Sequence, residues 1–155
     1  MTADLMDARR IATIRRLYFG SDSEEYHAAL DRIAEIEKTS RRPSPEEVGR
    51  IYISGAMTGH PDFNRPAFYN AEAALYLQGY RNVANPARIE GDDAKPWDWW
   101  MRHALEMLLT CQTIVMLPGW VDSRGAMLEH HIARKLDMRV YEWIGGELES
   151  NDLPF

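Results

Sequence analysis

The stretch TIVMLPGWVDSRGAMLEHHIARKLDMRVYEW, residues 113–143, changes its periodicity twice. Thr113 to Leu117 is a short apolar, β-branched run that stops at Pro118-Gly119. After Ser123 the apolar positions recur at threes and fours, as Ala126, Met127, His130, Ala133 and Leu136, which predicts a helix. Arg139 to Trp143 returns to a strand pattern. A strand-loop-helix-strand unit of this kind, with parallel strands, delivers the loop from Pro118 to Gly125 to the carboxyl edge of a sheet, where open α/β folds bind ligands. Asp122 or Ser123 can cap the helix, and Arg124 beside the small Gly125 leaves backbone N–H groups free to meet an anion. Trp120, Ser123, Arg124 and Gly125 are therefore candidate ligand contacts, and Glu129, in the first or second helical turn, is the candidate reactive acid.

Upstream, the same pattern is laid down once before. Arg50 to Ser54 is a compact apolar strand that runs directly into Gly55-Ala56-Met57-Thr58-Gly59. Glycines there let backbone approach a ligand, so Ser54 to Gly59 is either a binding loop or a plain tight turn; its spacing is not the dinucleotide GxGxxG pattern. Pro66 suits an early helical position, and Ala67, Phe68, Ala71, Ala74, Leu75 and Leu77 form a packing face that ends at Gly79. Asn82 to Ala84 is a short second strand. After a polar loop from Ile89 to Pro96 comes PWDWWMRHALEMLLTC, helical by the spacing of Trp97, Trp100, Met101, Ala104, Leu105, Leu108 and Cys111. Three tryptophans in four positions exceed one buried stripe; core packing takes one or two, and a remaining ring could stack on a base or seal a subunit interface. Asp98 is either a helix-start acid favoured by the macrodipole or a site acid.

The fold class predicted is α/β: a small Rossmann-like or flavodoxin-like parallel sheet of four to five strands over residues 50–144, flanked by helices. A helical hairpin precedes it over residues 1–40, joined by a polar linker at 41–49, and an acidic, loose tail follows from 145 to 155. In the hairpin Leu5, Ala8, Ile11, Ile14 (or Ala12) and Tyr18 share one face, Gly20 breaks the helix, and Tyr26, Leu30, Ile33 and Ile36 or Glu37 share the next. Two amphipathic helices cannot bury both faces alone, so the expectation is packing or homo-oligomerisation through them.

The 155 residues fit one main domain with an appendage. A net charge of −6 argues against a broad nucleic-acid contact, because neutralising phosphates needs clustered Lys and Arg; the arginines of the first helix are offset by neighbouring acids and read as a solvated face. One cysteine, Cys111, excludes an internal disulfide and reads as a buried small hydrophobe. His130 and His131 are adjacent, without the spacing of paired ligands, so no metal and no cofactor is implied. No apolar run approaches the roughly 20 residues of a membrane span, and a cytoplasmic protein with a small-molecule ligand is expected.

Taken together, YISGAMTGHPDFNRPAF, NVANPARI and CQTIVMLPGWVDSRGAMLEHHIARKLDM resemble the nucleoside 2-deoxyribosyltransferase-like superfamily, over about Ile51 to Trp143, with the short bacterial and phage proteins as the most similar branch. The resemblance implies a small Rossmann-like fold and cleavage of nucleoside or nucleotide N-glycosidic bonds. It implies Glu129 as nucleophile, Ser123 as a contact to a 5′-phosphate, and Ile53 to Gly59 as the loop under base and sugar. A carboxylate suits that chemistry, because it both stabilises oxocarbenium character and can collapse onto the anomeric carbon.

The chain departs from the superfamily pattern at two positions. Ala104 stands where relatives carry an aspartate in the preceding helix, and Gln112 stands where a second acid follows the cysteine. Asp98 or His103 are the candidates to substitute for the missing acid. These departures motivate the alternative of a nucleotide-binding protein that keeps the phosphate cradle without turnover. A lysine-decarboxylase-like phosphoribohydrolase ranks last, because its PGGxGT-type run is replaced by PGWVDSRG.

Overall fold

Ile51–Ser54 forms β1 of the computed structural model, which describes residues 3–150. It lies between β2 (Val83–Ala84) and β3 (Thr113–Met116), and β4 (Arg139–Ile144) and β5 (Glu147–Ser150) complete a five-stranded sheet of order β2-β1-β3-β4-β5. The first four strands are parallel, with Ser54 in register with Met116. Their crossovers are α4 (Arg65–Leu77), α5 (Trp97–Leu108) and α6 (Arg124–Lys135). The order reverses direction between β1 and β3, which opens a crevice beyond their carboxyl ends, the place where doubly wound sheets take ligands.

All four residues of β1 and of β3 are buried, as expected of strands covered on both faces, and alternation sends them into two cores. Ile51, Ile53, Val115 and Leu117 pack with Phe68, Ala71 and Leu75 of α4. Tyr52, Ile114 and Met116 pack with Leu108, Cys111, Ala126, Ala133 and Val140 on the other side.

Two segments differ from the sequence expectation. Within the expected linker, Pro45–Val48 is a helical turn, α3, closed by a capping box in which Ser44 and Glu47 serve each other's backbone, and Val48 is wholly buried. Within the expected loose tail, Gly145 and Gly146 both adopt positive φ (59° and 86°), the requirement of a tight hairpin turn, and β5 returns antiparallel to β4 with Leu148 buried. The remainder of that tail, 151–155, and the first two residues of the expected hairpin lie outside the described residues.

The chain divides into two units, Met1–Arg42 and Pro43–Phe155. The first holds α1 (Ala3–Phe19) and α2 (Glu24–Ser40). Gly20, at φ 84°, ends α1, and Ser23 caps α2 by accepting from the Tyr26 N–H. The two helices pair through three alanines and one leucine, with Leu5, Ala8, Ala12 and Ala29 buried and an Arg9–Glu37 ion pair alongside. Ile11, Ile14 and Tyr18, expected on the packed face, are instead exposed, because close approach at alanines leaves the larger side chains on the flank. Among the described residues no helix is long and apolar enough to cross a membrane.

Candidate functional site

Period-two alternation on β1 turns Tyr52 and Ser54 to the same face, toward α6. Between them they hold Glu129. The Tyr52 hydroxyl donates to Oε1 at 2.6 Å and the Ser54 hydroxyl donates to Oε2 at 2.5 Å. All three side chains are buried. The buried stripe of α6 is Ala126, Glu129, His130 and Ala133, so the carboxyl takes a core position that the sequence pattern had given to Met127, which is exposed. Burial pushes the Glu129 carboxyl up from 4.5 to about 7, and the hydrogen bonds from Ser54 and Tyr52 oppose that rise without cancelling it. Burial and the adjacent Glu129 push the Tyr52 phenol well above its usual range, so it stays a donor.

Glu129 opens onto a cavity of about 260 Å³ at the carboxyl edge of the sheet. Gly55, Met57 and Thr58 from the β1 loop form one wall, and Ser123, Gly125 and Ala126 from the start of α6 form another. Trp97, Trp100, Met101 and Ala104 of α5 close the side, with Pro86, Ala87 and Ile89 beneath β2's exit. Ser123 is the α6 cap, accepting from the Ala126 N–H at 3.3 Å. Ala56 is buried behind the loop, its carbonyl accepting from the Asn64 side chain at 2.9 Å.

Other expected contacts lie elsewhere. Gly59 is not part of the lining, and its φ of 82° serves the turn. Arg124 does not line the cavity either; its guanidinium sits 3.9 Å from the centroid of the Trp97 ring, bracing that wall from outside. Trp120 faces away, stacked on His130 at 4.5 Å beside a second hollow formed with Trp143. None of the three clustered tryptophans enters either core: Trp97 and Trp100 line the cavity and Trp99 packs edge-on against Trp100 at 4.9 Å.

The position of the missing acid is in the cavity wall, as Ala104. Neither suggested substitute reaches it. Asp98 is exposed at the start of α5 and pairs with Arg102 at 3.9 Å. His103 bonds the Trp99 carbonyl through Nδ1 at 2.8 Å. Gln112 lies at the opposite, amino edge of the sheet, where it accepts from the Arg50 N–H at 2.8 Å and ties β1 to β3.

Several functional candidates come only from the fold. Tyr52 reads as an ordinary strand aromatic, although its spacing of two from Ser54 is the signal that would pair them. Phe63 and Arg65 line the cavity mouth from a loop in which Asp62, Phe63 and Asn64 all adopt left-handed backbone (φ 49°, 50° and 56°). Such a run is costly for non-glycine residues and is typical of site loops. Arg65 reaches Asp93 across the mouth at 3.7 Å. Below, Glu72 is buried on α4 and takes two Arg88 nitrogens at 3.0 and 2.7 Å and Asn85 at 3.2 Å, which fixes the loop after β2. Burial raises that carboxyl, but the bonds from Arg88 and Asn85 outweigh it and the net shift is downward.

The arrangement presents one buried, hydroxyl-held carboxyl to a largely apolar, aromatic-walled cavity beside a helix N-terminus. That suits attack on, or proton abstraction from, a planar-ringed polar ligand. No curated protein and no solved structure matches the chain. The family model described as a domain of unknown function, DUF4406, matches residues 49–142, more than half of the chain and all of the cavity's lining, and the chain belongs to that family.

Proposed function

We propose that the protein cleaves the N-glycosidic bond of a nucleoside or nucleoside 5′-monophosphate, with Glu129 as the nucleophile. The observation that carries this reading is the buried Glu129 carboxyl, held by Tyr52 and Ser54 and open to the cavity. A Glu129 oxygen attacks C1′ as the C1′–N bond breaks, its electron pair leaving with the base. A glycosyl ester on Glu129 results. Water, or the nitrogen of a second base, then attacks C1′ and releases the carboxylate. Ser123 caps α6 less than two helical turns before Glu129 and lines the same cavity, which supports a 5′-phosphate at the helix start while C1′ faces the carboxyl. The N–H groups there suit an anion.

The test is a panel of ribo- and deoxyribonucleosides and their monophosphates, with chromatography for free base. Release from at least one substrate that disappears in Glu129→Ala supports the reading; silence across the panel, or undiminished release by the variant, rejects it. Ala104 in the cavity wall favours a second reading, a nucleotide-binding protein without turnover. Its signature is thermal stabilisation by a nucleotide that is recovered intact.

A further inference from the structure

A glycosidic bond to nitrogen breaks only if something receives the electron pair that leaves with the base. A proton from a positioned acid is one receiver, and a fixed positive field is the other. Among the described residues that line the cavity, only Glu129, Asp93, Arg65 and Lys95 are ionisable side chains. Glu129 is committed to C1′ under the proposed reaction. Asp93 is two-thirds exposed (66%) and is engaged with the Arg65 guanidinium at 3.7 Å, at the mouth of the cavity. Beyond Glu129 the lining therefore offers a leaving group one acid, already paired with Arg65, and two cations, which stand at the mouth.

Resting on the N-glycosidase reading, we propose that Arg65, assisted by Lys95, stabilises the departing base as a nitrogen anion and so takes over the work of a general acid. Arg65 is built for a fixed position. It opens α4, its Nη1 lies 3.3 Å from Asp62, and its guanidinium carbon is 5.1 Å from the centroid of the Phe63 ring. Its side chain is only 27% exposed. The separation from Asp93, 3.7 Å, is an ion pair longer than a hydrogen bond, so N–H donors on that side remain available to a third group. Lys95 comes from the neighbouring loop, pinned by the Ala94 N–H on the Asp92 side chain at 2.9 Å. The ligand class that fits is a base whose anion spreads onto a carbonyl oxygen, as in uracil, thymine or a keto purine, because guanidinium N–H groups donate to that oxygen. When the C1′–N pair moves onto such a base, the negative charge develops against Arg65 and the base takes its proton from water after departure.

Leaving-group dependence tests this. Release of 5-fluorouracil, uracil and thymine from otherwise identical deoxynucleotides is compared in the wild type, Arg65→Met, Arg65→Lys and Lys95→Met. The 5-fluoro base forms the most stable anion and needs the field least. Arg65→Met is expected to slow uracil and thymine release about a hundredfold and 5-fluorouracil release far less, with Arg65→Lys recovering part of the loss. Lys95 is exposed, so Lys95→Met keeps the fold and should show a weaker version of the same gradient. Equal losses on all three substrates would assign Arg65 to binding or folding alone and overturn the proposal while leaving the glycosidase reading in place. A wild-type protein that releases none of the bases overturns both.

Discussion

Tyr52 and Glu129, 77 positions apart in the chain, meet at 2.6 Å at the floor of the cavity, joining the first strand to the last helix. The pair stores a pH-dependent cost. Because burial raises Glu129 from 4.5 to about 7 in the folded protein, the fold holds that proton more tightly than the unfolded chain does. The associated stability is complete below the unfolded value and declines as pH rises through 7, by about 3 kcal/mol. Glu129→Gln has no proton to lose. Its melting temperature relative to wild type should therefore climb by roughly 6–12 °C between pH 4 and pH 8. A difference that does not change with pH would contradict the burial argument.

Activity should run the opposite way. A nucleophilic carboxyl works only when ionised, so base release is expected to rise with pH through an apparent pKa of about 7. Ser54→Ala and Tyr52→Phe each remove a donor that favours the ionised form. Each should move that ascending limb upward by about one pH unit, the equivalent of one hydrogen bond to a charged group. A limb that stays fixed in both variants would show that the titrating group is not Glu129.

The parts of the site that could be read in advance are those whose chemistry is local. Gly55 to Thr58 announces itself as a loop by composition, and Ser123 as a helix cap. Tyr52, Arg65 and Asp93 could not be placed so, because their roles depend on which loops the β2-β1-β3 order brings together. Trp120 and Arg124 sit in the right loop yet turn elsewhere, one onto His130 and the other onto Trp97, and loop membership alone carries no direction. The errors at the ends of the main unit are of another kind. Ser44-Pro45-Glu46-Glu47 is a capping-box sequence and Gly145-Gly146 a hairpin sequence, so α3 and β5 were legible and were masked by the acidic, polar composition around them.

The hairpin leaves Leu17 and Phe19 exposed by 78% and 60%, with Ile11 and Ile14 near half. An apolar strip of this size suits a contact between copies of the chain. Light scattering of the 155-residue chain should give a multiple of 17.9 kDa, and Leu17→Glu combined with Phe19→Glu should reduce it to the single-chain mass. A wild-type protein that is already a monomer at high micromolar concentration would remove that role.

The most direct test of the central claim is to catch the sugar on Glu129. Rapid quenching of the protein during turnover of a substrate identified by base release, followed by mass spectrometry of the intact chain and its peptides, should show a transient gain of one glycosyl group confined to the peptide that carries Glu129. Base release with no such adduct at any quench time, or an adduct on another residue, would contradict it.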